Sequence, residues 1–199
     1  MTDVLIQMSM SLDGYIAGPN DSDVNGLGDG GERLHEWLFA GGGPPGEGLA
    51  PADQEVFDDL RSRTGAMLTG RRLYDITHGW QGTHPLGAIP AFVVSRDLPE
   101  QIPSGATPFT FVHDGIASAV AQAKEAAGDK DVYVIGGANT IRHLLDAGLA
   151  DELRIDLIPV LLGGGIRLFD GLARKPVSLE QVRSTSSSAV THIRYRVLP

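Results

Sequence analysis

Apolar and polar positions along this chain fall into two rhythms. One is short and dense, the other is spaced by three and four. VLIQMSMS (4–11) is dense and predicts a buried first strand. The turn-rich LDGYIAGPNDSD follows it. Within 31–43 a short amphipathic helix is expected around Leu34, Trp37 and Leu38, stopped by three glycines, and 41–51 reads as a surface loop. In 52–65 the apolar stripe of Val56, Phe57 and Leu60 predicts a helix that Gly65 ends, with Asp53 as candidate N-cap. Strands are expected at 66–75, 91–97 and 107–115, where the first runs into a glycine and two arginines. The Ala-rich 116–128 reads as a helix. DVYVIGG (131–137) is a strand leading into the helix NTIRHLLDAG, and 152–165 reads as one long strand with Pro159 marking a bulge or edge. Two last strands, 177–185 and 190–198, flank a serine run. The second puts Thr191, Ile193, Tyr195 and Val197 on one face, and His192, Arg194 and Arg196 on the other.

Strands alternate with helices to about residue 160 and then follow one another. This order predicts an α/β fold. It is a three-layer sandwich with a mostly parallel central sheet and an antiparallel C-terminal hairpin. With no internal repeat or shift of composition, 1–199 is expected to be one domain.

Composition narrows the chemistry. A net charge of −9 argues against a general nucleic-acid or anionic-membrane surface. The absence of cysteine excludes disulfides, thiolate catalysis and Cys-based metal sites. The six histidines show no HxxxH or HExxH spacing, so no metal is expected. No apolar stretch approaches the ~18 residues of a membrane helix, and no basic-then-apolar leader opens the chain. The expectation is a cytoplasmic protein.

Candidate chemistry gathers at three strand ends, where open α/β sheets bind ligands. At VIGGANT, Gly136 and Gly137 make either a tight turn or a place where an anion approaches the backbone, with Asn139 or Thr140 capping the next helix. At TGRRLYD, Arg71 and Arg72 follow Gly70; guanidinium forks match phosphate geometry, though adjacent arginines are also common on plain surfaces. At VVSRD, Ser95 and Arg96 pair a hydroxyl with a guanidinium. Together these ends describe a site for a dinucleotide carrying an extra phosphate. Asp13, in SLDG, is a candidate acid whose burial would raise its pKa, or a cap of its own turn. Trp37, Tyr74 and Trp80 are candidates for stacking on a heterocycle. His35, Arg33 and Lys175 are basic residues without an assigned place.

In sequence order, MSLDGYIAG, TGRRLYD, VVSR, VYVIGGANTIRHLLDAGLADELRIDLIPVLLGGG and a terminal hairpin resemble the dihydrofolate-reductase-like superfamily. More closely, the chain resembles stand-alone relatives of the reductase domain of bacterial riboflavin-biosynthesis deaminase–reductases. The resemblance implies NADPH as hydride donor. It would set Gly70, Arg71, Arg72 and Leu73 against the pyrophosphate and adenosine, and Ser95 and Arg96 on the 2′-phosphate. Ile135, Gly136, Gly137, Ala138, Asn139 and Thr140 would wrap the pyrophosphate and nicotinamide, which Ile16 and Ala17 would border. Ile135 stands where riboflavin reductases commonly carry a glutamate, as in folate reductases. PAD with Phe57 resembles the folate enzymes' acid-bearing helix, which makes Asp53 a second candidate acid. The implied activity is reduction of a pterin- or pyrimidine-like heterocycle, of the aminouracil ribosyl-phosphate or dihydrofolate type, by a homodimer. The competing reading is a nucleotide-binding module without turnover.

Overall fold

The computed structural model describes residues 2–199. In chain order its elements are β1 (Val4–Ser11), β2 (Tyr15–Ala17), α1 (Pro51–Arg63), β3 (Thr64–Gly70), α2 (Arg71–Ile76), β4 (Ala91–Val94), β5 (Phe109–Val112), α3 (Ile116–Ala127), β6 (Asp131–Gly136), α4 (Ala138–Asp146), β7 (Glu152–Ile158), β8 (Ile166–Arg167), β9 (Leu179–Ser186) and β10 (Thr191–Val197). Eight strands form one sheet in the order β5-β4-β3-β6-β1-β7-β10-β9. The pairs from β5 to β7 are parallel, and β10 and β9 add antiparallel. The expected α/β sandwich with its antiparallel end is the fold observed.

Alternation along the strands gives the sheet two unlike faces. Val4 and Ile6 of β1, Leu68 of β3, Val132 and Val134 of β6, and Leu153 and Ile155 of β7 point to one side. There they pack on α3 and α4. α3 offers the small Ala119 and Ala123, which let a helix lie close to a sheet, and α4 offers Ile141, Leu144 and Leu145. The opposite side, toward α1, carries Leu5 and Met67 but also Gln7, Ser9, Glu152, Arg154, Asp156 and His192, all buried. Glu152 there meets the guanidiniums of Arg63 at 3.3 Å and of Arg154 and Arg194 at 2.5 Å. Arg154 also reaches Asp59, and Arg63 reaches Asp131, each at 2.6 Å. Buried charges persist only when paired in this way.

Several expectations need correction. The segment 12–23 is not all turn, because β2 pairs with β8 as a two-stranded ribbon. The helix near Trp37 is two short 3-10 turns, Gly31–Leu34 and Glu36–Phe39. Gly65 lies inside β3 and does not end α1, which stops at Arg63. The long strand 152–165 ends at Ile158, before Pro159. β7 is also no edge, since β1 and β10 flank it. On β10, His192 is buried on the face read as polar, because α1 covers it. Tyr74 is a core residue held edge-on between Phe109 and Phe111.

Candidate functional site

A cavity of about 1260 Å³ opens at the carboxyl ends of the parallel strands. It takes in nearly every residue expected at a dinucleotide. Ile16 and Ala17 border it from β2. Gly70, Arg71, Arg72 and Leu73 line it from the β3–α2 junction, Ser95 and Arg96 from the exit of β4, and Ile135, Gly137, Ala138, Asn139 and Thr140 from the β6–α4 junction. Gly136 lies behind this surface at φ +106°, where a side chain would be strained and its Cβ would press on Met8 Sδ at 3.1 Å.

Gly137 has a different reason to be glycine. Its φ of −76° suits any residue, and a Cβ built there meets nothing within 4 Å. The protein does not fill that space, so a ligand can lie against the backbone. Gly137, rather than Asn139 or Thr140, is the N-cap of α4, and no side chain caps the helix. The N–H groups of its first turn therefore lack intrahelical partners, and the helix dipole favours an anion beside them.

Arg71 and Arg72 at this end are held in place. Arg71 donates through Nε to Asp75 Oδ1 at 2.7 Å and through Nη1 to the Asp97 carbonyl at 2.7 Å and to Ser95 Oγ at 3.3 Å. Ser95 Oγ donates to the same carbonyl. Arg72 is tied to Asp21, while Arg96 is exposed and makes no ion pair among the described residues. Open space at Gly137, an uncapped helix start and fixed arginines suit a phosphate-bearing dinucleotide.

The two carboxylates expected at the acceptor lie elsewhere. Asp13 accepts from Ser11 Oγ at 2.6 Å, from the Gly163 amide at 2.7 Å and from the Leu162 amide at 3.1 Å. Led by the Ser11 hydrogen bond, these donors hold its pKa down at about 2. The expected raised pKa is thus reversed, because Asp13 latches the glycine-rich loop after β7. Asp53 is not the N-cap of α1, which is Ala50. It lies in the first turn, buried, with its carboxylate on His192 Nε2 at 3.1 Å.

The opposite end of the cavity, where an acceptor was expected, takes in Trp37, a stacking candidate, and otherwise residues to which the sequence reading gave no role in the site. Gln7, Ser9, His35, Trp37, Phe57 and Asp156 line it. Gln7 Nε2 donates to Asp156 Oδ2 at 2.8 Å, while its own Oε1 is buried without a partner. His35 Nδ1 is likewise unpartnered. Burial pushes its pKa down, against the pull of the Asp156 charge. Trp37 Nε1 donates to Ser9 Oγ at 3.2 Å. Trp80 also lines the cavity, edge-on to His84 at 4.8 Å between ring centroids. Of the other unplaced bases, Arg33 pairs with Glu36 on the surface, and Lys175 precedes a cis proline. The available signal for Asp156 was the alternation of charges in ELRIDLI, a strand whose two faces are both covered.

Among the described residues no group of acidic or histidine side chains could hold a metal, and no helix is long and apolar enough to cross a membrane. The family model for the RibD C-terminal domain matches residues 2–193. The uncharacterised protein YyaP of Bacillus subtilis (strain 168) is 28% identical over 207 residues, covering 96% of this chain and 93% of its own. A protein of Shewanella sp. PV-4 described as belonging to riboflavin biosynthesis superposes with a TM-score of 0.72 at 25% identity over the whole of both chains. The dihydrofolate reductase of Enterococcus faecalis, solved with NADP(H), superposes with a TM-score of 0.60 at 14% identity, covering 99% of this chain and 97% of its own.

Proposed function

The chain belongs to the RibD C-terminal domain family, and on that premise we propose that it is an NADPH-dependent reductase of an unphosphorylated pterin- or pyrimidine-like heterocycle. One observation carries this reading: a single cavity joins phosphate-receiving groups at one end to a small polar receptor at the other. Structural neighbours described as reductases support the general class. When bound, NADPH supplies the hydride. The chain's own residues bind, align and exclude water. Gly137 and the first turn of α4 receive the pyrophosphate, and Ser95, Arg96 and Arg71 receive the 2′-phosphate.

The acceptor class follows from where the charges stand. The four arginines lining the cavity, Arg71, Arg72, Arg96 and Arg142, all belong to α2, the β4 exit and α4. Among the described residues, the acceptor end has no lysine or arginine for a second phosphate. It offers acceptors instead: the free Gln7 Oε1, the Asp156 carboxylate and the neutral His35. That set fits the N–H-bearing edge of a flat heterocycle, flanked by Trp37 and Phe57.

Titration by nicotinamide fluorescence tests the cofactor assignment. NADPH is expected to bind more tightly than NADH, and Arg96→Ala to weaken NADPH by about 10- to 100-fold with NADH little changed. Equal losses for both nucleotides would remove the 2′-phosphate from Arg96. NADPH oxidation is then followed with 7,8-dihydrofolate and with 5-amino-6-(5-phosphoribosylamino)uracil. Turnover of the first alone is expected. Turnover of the second alone would overturn the unphosphorylated acceptor, and binding without turnover of either would favour a nucleotide-binding module.

A further inference from the structure

His192 is buried with a carboxylate on each ring nitrogen. Nδ1 lies 2.6 Å from Asp156 Oδ1 and Nε2 lies 3.1 Å from Asp53 Oδ1. An ionised carboxylate only accepts, so both bonds form together only when both ring nitrogens carry protons. The Trp37 ring stands edge-on to the imidazole at 5.0 Å and shields it from the main cavity. Asp156 reaches further, because it lines the main cavity beside Gln7 and Ser9 and also a second cavity of about 60 Å³ on the same face of the sheet, between α1 and β9. His192 lines that second cavity with Glu55, Asp59, Arg183 and Thr185.

We propose that Asp53, His192 and Asp156 form a proton relay that carries a proton from the small outer cavity, through the buried imidazole, to the acceptor in the main cavity. The proposal rests on the reductase reading above. The step balances as follows. With NADPH bound, its dihydronicotinamide would supply the hydride to the carbon of a C=N bond and would be oxidised, and the π pair would go to the acceptor nitrogen. That nitrogen takes the proton that Asp156 receives from the imidazolium Nδ1–H in the same passage, so Asp156 ends ionised as it began. The neutral His192 is then reprotonated from water at the outer cavity. Asp156 touches the acceptor and is the catalytic residue. His192 and Asp53 act through it and are positioning residues.

The surroundings support a proton resting on His192. Burial alone lowers its pKa, but the hydrogen bonds and charges of Asp156 and Asp53 outweigh this and leave it above the ordinary value. The second cavity receives Arg154 from β7, Arg194 from β10, Asp59 and Glu55 from α1 and Arg183 from β9, with Glu152 of β7 behind the two arginines of the sheet. On the main-cavity side, Gln7 and Ser9 from β1, Tyr133 from β6 and His35 from between the 3-10 turns stand near Asp156. The arginines are committed elsewhere: Arg154 and Arg194 to Glu152, and Arg183 to Glu55. His35 is kept neutral by its burial. Gln7 Nε2 fixes Asp156 Oδ2 and leaves further lone pairs of the carboxylate for the acceptor.

The experiment uses the full chain and needs no acceptor for its first reading. The ring nitrogens of His192 are followed by nitrogen-15 NMR between pH 5 and 10. An imidazolium at pH 7.5 that reverts toward ordinary titration in Asp156→Asn supports the relay, and a neutral ring at pH 7.5 overturns it. NADPH oxidation by 7,8-dihydrofolate is then compared in the wild type and His192→Gln, which keeps polar contact but transfers no proton. The expected loss in kcat is about 100-fold, with the alkaline limb of the pH profile abolished and the Kd for NADPH within twofold of wild type. If NADPH binds and His192→Gln keeps wild-type kcat and pH profile, the relay fails while the reductase reading stands. If the wild type binds no NADPH, the reductase reading falls and the relay falls with it.

Discussion

The two faces of the central sheet bury side chains to a similar depth with opposite chemistry. Toward α3 and α4, Ile6, Leu68, Val134, Ile141 and Leu144 are all fully buried, and no charge interrupts them. Toward α1, Glu152, Arg154, Asp156 and His192 are buried almost as completely. The first face is held by removal of apolar surface from water, which is nondirectional and forgiving. The second is held by hydrogen bonds and ion pairs whose partners must all be present. A protein that needed only stability would gain little from the second arrangement, since well-packed apolar residues often serve as well. The charged face is the one that lines the main cavity, through Gln7, Ser9 and Asp156.

The sharpest way to break the comparison is to remove the hub of the charged face. Glu152→Leu leaves Arg63, Arg154 and Arg194 without their shared carboxylate. It should lower the unfolding free energy in urea by about 3–5 kcal/mol. A neutral result would mean that the network is a passive filler. On the apolar face, Leu144→Ala should cost about 2–4 kcal/mol by loss of burial and the cavity left behind, with the same denaturant slope.

Stability against pH should separate the faces without mutation. His84 is buried, and its Nδ1 accepts from the Leu86 amide, so burial pushes its pKa down to about 4. His35 is lowered in the same direction. For both, the neutral form is the folded form. Their contribution is complete above pH 6.5 and is lost as pH falls below it, for His84 down through about 4 and on the order of 3 kcal/mol. His192 is raised instead. Its contribution is present below pH 6.5 and is lost as pH rises through its folded value. Urea midpoints should therefore fall on both sides of neutrality, and His192→Gln should flatten only the alkaline fall. Leu144→Ala should lower the whole curve with little change of shape.

The smallest effect belongs to the surface. Arg196 and Glu180 meet at 2.6 Å, but both are more than half exposed. Arg196→Ala should change stability by no more than about 0.5 kcal/mol. A larger loss would show that the charged network extends past the helix-covered region.

The apolar face was legible in the sequence because its signals are local. Periodicity found β1, α3, β6 and α4 within a residue or two, and the glycine and arginine junctions after β3, β4 and β6 converge on one cavity. The charged face was not legible. ELRIDLI reads only as part of one long strand with a bulge or edge at Pro159, and His192 as a polar-face residue, because nothing in either segment announces that α1 covers them both. Asp156 and His192 are 36 residues apart and meet only through the antiparallel pairing of β7 with β10. Asp13 and Asp53 were drawn to the acceptor by motif. Each has instead been engaged by a partner more than 130 residues away, the Gly163 amide for one and His192 for the other.

The position of β1 in the sheet carries a consequence for how the chain reaches this state. β1 lies between β6 and β7, in parallel register with Val132 and Leu153 through Val4 and Ile6. It emerges from the ribosome ahead of both partners, and at 5–20 residues per second the second of them follows roughly 7–30 s later. Through that interval VLIQMSMS is an apolar strand with two unpaired edges, while β3, β4 and β5 already have neighbours to join. The middle of the sheet is therefore completed late. An apolar segment of this kind waiting in the cell is a natural client for holding chaperones, so yield on expression should depend more on the rate of translation than on the final stability of the fold.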